Sequence, residues 1–136
     1  MTTESHQPVF EDQSALLIVK LMTDLDCVIL ELRRVIRPQH PWQRKLLALA
    51  ARADRQMQVL RMTEAMGKDD AEIVDASNQL GATCQEIALA LRGSRAPGSI
   101  KSMATLVSAI GAELARLLKA EGAAHIAGQQ AKGLPS

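Results

Sequence analysis

Three short breaks constrain most strongly how this chain can fold. In RPQHP, Pro38 and Pro41 each disfavour helical geometry at the preceding residue, Arg37 and His40. Gly67 ahead of Lys68 and Asp69 makes the second break, and RGSRAPGS makes the third. Between them lie four long segments in which apolar residues recur every three or four positions, the period of an amphipathic helix. Four such helices joined by loops of a few residues have one economical packing. The expected fold is all-α, a single-domain, antiparallel up-down-up-down four-helix bundle.

The expected helices span 9–36, 41–66, 70–92 and 100–121, within a bundle covering 8–121. Residues 1–7 are read as a flexible N-terminus and 122–136 as a flexible tail, because GAAHIAGQQAKGLPS loses the apolar period. Pro8 suits a first helical turn, Gly67 a C-terminal cap, and Asp69 with Glu72 a capping box. Ser99 is the expected N-cap of the fourth helix. Phe10 and Trp42 are the only aromatic residues, so the core must be aliphatic. A chain of 136 residues is long enough for one such core.

On the first helix, Phe10, Leu17, Ile18, Leu21, Met22, Leu25, Val28, Ile29, Leu32, Val35 and Ile36 form a broad core arc. The second helix offers Trp42, Leu46, Leu49, Ala50, Ala53, Met57 and Leu60, and the third Ile73, Ala76, Leu80, Cys84, Ile87 and Leu91. Met103, Leu106, Val107, Ile110, Leu114, Leu117 and Leu118 complete the set. Ser77, Gly81 and Ala88 make a ridge of small residues on the third helix, and a mid-helix glycine costs about 1 kcal/mol relative to alanine. A close-packed neighbour is the expected reason for it.

Helix one carries a second stripe opposite its core arc: Leu16, Val19, Thr23, Cys27, Leu30 and Arg34, again at spacings of three or four. A bundle helix needs one buried face, so this seam points to a protein partner or a homodimer. The rival site is electrostatic. Net charge by segment runs −5 over 1–32, +7 over 33–61, −5 over 62–90 and +4 over 91–136. Arg33, Arg37, Arg44, Lys45, Arg52 and Arg55, with Arg34, form a basic run that could track a phosphate backbone. Against that, the run lacks stacking aromatics and helix-turn-helix spacing.

Chemistry finds less support. Bundle metal sites need inward carboxylates and a Glu-x-x-His motif, whereas His6, His40 and His125 lie at ends or breaks. Glu121 and His125, four apart, read as a solvated pair. Cys27 and Cys84 lack ligand-spaced partners, and Cys84 sits in an apolar stripe as a core filler. Glu64 continues the second helix's apolar stripe and is read as reaching out at the bundle end near Gly67. No catalytic residue, metal or cofactor is therefore expected. The N-terminus lacks a basic stretch followed by an apolar one, and Lys20, Asp24, Asp26 and Glu31 interrupt the longest apolar run, so neither secretion nor a membrane partner is expected. The resulting expectation is a cytoplasmic, non-enzymatic interaction module of adaptor, chaperone or immunity type that self-associates through helix one. A nucleic-acid-associated regulator using 33–61 is the alternative.

Overall fold

The structure is a computed structural model that describes the backbone from residue 6 to residue 133 and side-chain surroundings from residue 13 to residue 125. It is a four-helix bundle: α1 (His6–Val35), α2 (Pro41–Ala65), α3 (Asp70–Ala90) and α4 (Gly98–Gly133). Each helix packs against its two neighbours around a square, α1 on α2 and α4, and α3 on α2 and α4. Among the described residues the backbones of the diagonal pairs do not approach closely.

The helix ends follow from local chemistry. Ahead of Pro38, the last turn of α1 closes with the Ile36 N–H on the Leu32 carbonyl. His40 is extended, as a residue before proline should be, and Pro41 opens α2 where its missing N–H costs nothing. The Gln43 side chain then reaches back to accept from the N–H groups of Gln39 (3.0 Å) and His40 (2.7 Å), satisfying donors that the prolines leave stranded. At the other end of α2, Gly67 adopts φ +67°. It donates to the Glu64 carbonyl while Lys68 donates to Thr63, the paired bonds of a Schellman termination. Asp69 accepts from the Glu72 N–H at 2.9 Å, the forward half of the expected capping box.

Three boundaries differ from expectation. The carbonyl of Pro97, not Ser99, receives the first N–H groups of α4, from Ile100 and Lys101. Moreover, α4 continues to Gly133 instead of ending near 121. The loss of period there reflects small residues: Ala is the best helix former, and Gly122 is buried where an added Cβ would lie 3.4 Å from Asp70 Cβ and Val74 Cγ2. The first helix likewise starts at His6, and the expected loose residues 1–5 and the side chain of Phe10 lie outside the description.

The core is aliphatic. Leu25, Ile29 and Leu32 of α1, Leu46, Met57 and Leu60 of α2, Leu80 and Ile87 of α3, and Val107 and Leu114 of α4 are fully buried. The buried stripe of α1 is narrower than the expected arc, since Leu17 and Val35 are about 40% exposed (41% and 40%) on its flank. The ridge on α3 does receive a close neighbour. Gly81 faces Gly111 of α4, where a Cβ on Gly81 would sit 3.4 Å from the Gly111 carbonyl oxygen. Absent side chains on both sides let the α3 and α4 backbones approach.

Candidate functional site

Six residues of the α1 stripe were expected to share one outward face, and they do. Leu16 is 68% exposed, Val19 59% and Leu30 59%, with Thr23, Cys27 and Arg34 exposed between and beyond them. Their inward counterparts on the same helix, Ile18, Met22, Leu25, Ile29 and Leu32, are all buried. Helix α1 therefore has a complete core face and a separate, uncovered apolar stripe. Thr23 is internally satisfied, its hydroxyl donating to the Val19 carbonyl at 2.9 Å.

Ion pairs border the stripe and enter it at Arg34. Lys20 meets Asp24 at 2.8 Å, and the Arg34 guanidinium holds both carboxylate oxygens of Glu31. That hydrogen bond pulls the Glu31 carboxyl below its ordinary range and raises the Arg34 guanidinium. Towards α2, Asp26 pairs with Arg61 (3.5 Å) and Arg33 with Asp54 (3.2 Å), fixing the antiparallel register of the two helices. Between them a shallow groove of about 380 Å³ is lined by Val19, Met22, Thr23, Arg61, Glu64 and Ala65.

Sequence reasoning missed a separate exposed apolar set. Val59, Met62 and Met66 of α2 are each more than half exposed, and none of them lines the α1–α2 groove. Their spacing of three and four was readable in the sequence, outside the core stripe of α2.

The basic run fares differently. Arg33 is bound to Asp54, Arg34 to Glu31 and Arg52 to Glu86 (3.3 Å), so three of the seven cations expected to line a phosphate backbone already have carboxylate partners. Arg37, Arg44, Lys45 and Arg55 have none among the described residues, and Arg44 donates to the Gln39 carbonyl at 3.2 Å. Arg55 lies midway along α2, away from the other three. A continuous stripe along 33–61 is not what the fold presents.

Of the remaining chemical groups, Cys84 is fully buried, and desolvation pushes its thiol up to about 12, which keeps it protonated as an apolar filler. Cys27 is exposed, and neither cysteine is in a disulfide. His125 does not pair with Glu121; its Nδ1 lies 3.3 Å from Asp70 of α3. Glu64 is an exposed residue near the end of α2, as expected, yet partial desolvation of its carboxyl, reinforced by the charge of Glu121, raises its pKa. Among the described residues no three His, Cys, Asp or Glu side chains gather as a metal site would need, and no helix is long and apolar enough to cross a membrane. Comparison with protein-family models, with curated proteins and with solved structures finds no match to this chain.

Proposed function

We propose that this chain is a non-enzymatic helical protein–protein interaction module that pairs with a second copy of itself through the outward face of α1. One observation carries the reading. Leu16, Val19 and Leu30 stand in solvent on a helix whose inward stripe is already filled. Full burial of a side chain of this kind contributes roughly 1.5–3 kcal/mol, a driving force that the single chain leaves unused.

A second copy fits the surface because the ion pairs beside and within the stripe, Lys20–Asp24 and Glu31–Arg34, each present both signs of charge and can re-pair across a two-fold axis. A cytoplasmic, reducing setting agrees with the two free thiols.

Light scattering on the purified chain tests the reading. The native protein is expected to sediment and scatter as a dimer, and Leu16→Glu with Leu30→Glu to convert it to a folded monomer of unchanged helix content. A strictly monomeric native protein, or a double variant that remains dimeric, would overturn it.

A further inference from the structure

The up-down-up-down topology brings the α1–α2 break and the α3–α4 loop to the same end of the bundle. No Asp or Glu occurs in residues 33–53 or 87–112, the two stretches that build this end, whereas they contain nine Lys or Arg. Three of the nine, Arg33, Arg34 and Arg52, are neutralised by Asp54, Glu31 and Glu86. The other six, Arg37, Arg44, Lys45, Arg92, Arg95 and Lys101, form no ion pair among the described residues, and His40 lies between the first two. All six sit in the loops or within about 8 Å of a helix start, at about 1.5 Å per residue. The opposite end has the other sign, with Glu64, Asp69, Asp70, Glu72 and Asp75 against Lys68 in 64–75. A net charge of +1 conceals a molecule that is strongly polarised along its axis.

The cations do not lie on one plane. Arg92 and Lys101 flank a groove of about 460 Å³ on the α3–α4 wall, where Thr105 and Ser108 add hydroxyls over an alanine floor. Arg95 is exposed in the same α3–α4 loop, and Arg37, Arg44 and Lys45 are exposed in or beside the α1–α2 break at this end. We propose that this end of the bundle docks the phosphate backbone of double-stranded nucleic acid, without reading base sequence.

The chemistry favours that occupant in two ways. Four of the six cations are arginine, whose planar fork binds phosphate oxygens in pairs. The hydroxyls of the side groove suit phosphate and sugar contacts. A membrane would need a second, apolar anchor for stable binding; the large apolar side chains exposed in residues 33–53 and 87–112, Val35, Leu89 and Leu106, lie on helix walls, and none stands in loop residues 37–40 or 92–97. A single strand would want stacking aromatics, and Trp42, partly buried against the core, is the only aromatic near this end. The acidic end repels the same polyanion and so orients its approach.

The test is fluorescence anisotropy of a labelled, mixed-sequence DNA duplex of about 20 base pairs, titrated with the full chain over a salt series. Six phosphate contacts predict a log–log salt slope of roughly −5 and a loss of affinity on the order of a thousandfold between about 50 and about 200 mM salt. Arg44→Glu, Arg92→Glu and Arg95→Glu together should abolish binding with helix content intact. A neutralised set, Arg92→Gln, Arg95→Gln and Lys101→Gln, leaves the α1–α2 break untouched and should halve the slope. Arg116→Glu with Lys119→Glu, exposed on α4 away from this end, should change little. The proposal is overturned if the native chain does not bind the duplex at low salt, or if the Arg116 and Lys119 control loses as much as the end variants. Equal binding to polyglutamate, or binding to phosphatidylglycerol vesicles in place of the duplex, overturns it too.

Discussion

Substituting Gly111 by alanine places a methyl group 2.8 Å from Cys84 Cβ and 2.9 Å from Cys84 Sγ, whereas carbon atoms in good contact are about 3.5–4.0 Å apart. Rotating Cys84 can move its sulfur but not its Cβ, which is fixed to the α3 backbone. Relief therefore requires the two closest helices of the bundle to separate by several tenths of an ångström. Overpacking costs about 1–3 kcal/mol, and two contacts under 3.0 Å, one of them to a fixed Cβ, put this site in the upper half, about 2–3 kcal/mol; the better helix propensity of alanine returns about 1 kcal/mol, leaving a net loss of about 1–2 kcal/mol. Gly81, facing it across the same crossing, behaves differently. Its added Cβ would lie 3.4 Å from the Gly111 carbonyl oxygen, an ordinary if close contact, so Gly81→Ala should be neutral or stabilising by up to about 1 kcal/mol. Urea unfolding followed by helical circular dichroism, with Trp42 fluorescence as a second probe, reads both changes as shifts in midpoint at constant slope. Cys84→Ala in the Gly111→Ala background removes the contact with sulfur but not that with Cβ, so it should recover part of the loss, giving non-additive energies. A Gly111→Ala protein as stable as the native one, or strict additivity with Cys84→Ala, would refute the clash.

Two further outcomes follow from the titratable groups. Because the folded state raises the Glu64 carboxyl, the native protein binds its proton more tightly than the unfolded chain does; stability therefore falls as pH rises from the ordinary value of 4.5 through the raised one. Glu64→Gln should raise the melting temperature at neutral pH, with the advantage shrinking as the pH falls below the ordinary glutamate range; an advantage independent of pH would show another cause. Cys84, with its thiol near 12 and its side chain buried, should react with a thiol reagent only after denaturant is added, whereas exposed Cys27 reacts in the native protein. If α1 pairs with α1 of a second copy, native labelling of Cys27 should also slow as protein concentration rises, and a rate independent of concentration would count against that interface.

Much of the fold was legible because its determinants are local. Pro38 and Pro41 stop one helix and start the next through the φ restriction and the missing N–H, and Gly67 ends α2 because a left-handed residue is required there. The α1 stripe was legible for the same reason, since six positions at spacings of three and four must share a face. Where periodicity is carried by small residues, the signal fades although the packing does not. GAAHIAG looked like a tail, but Gly122 lies buried in α4 against Asp70 and Val74 of α3. Ser99 resembled a cap by type, yet the chain enters α4 two residues earlier than a serine cap would allow, on the Pro97 carbonyl.

By itself, then, the sequence determined four helices, the breaks that end α1 and α2, most of the inward stripes and the unused apolar face of α1, all consequences of local backbone geometry. Tertiary structure decided which charges remain free. Arg33 and Arg52 lose their availability to Asp54 and Glu86, which lie 21 and 34 residues away, while Arg92, Arg95 and Lys101 join Arg37, Arg44 and Lys45 across more than 45 residues of chain. Electrostatic attraction falls with distance in space, and separation along the chain does not report that distance. The same is true of Gly81 and Gly111, whose missing side chains matter only because the bundle sets them face to face.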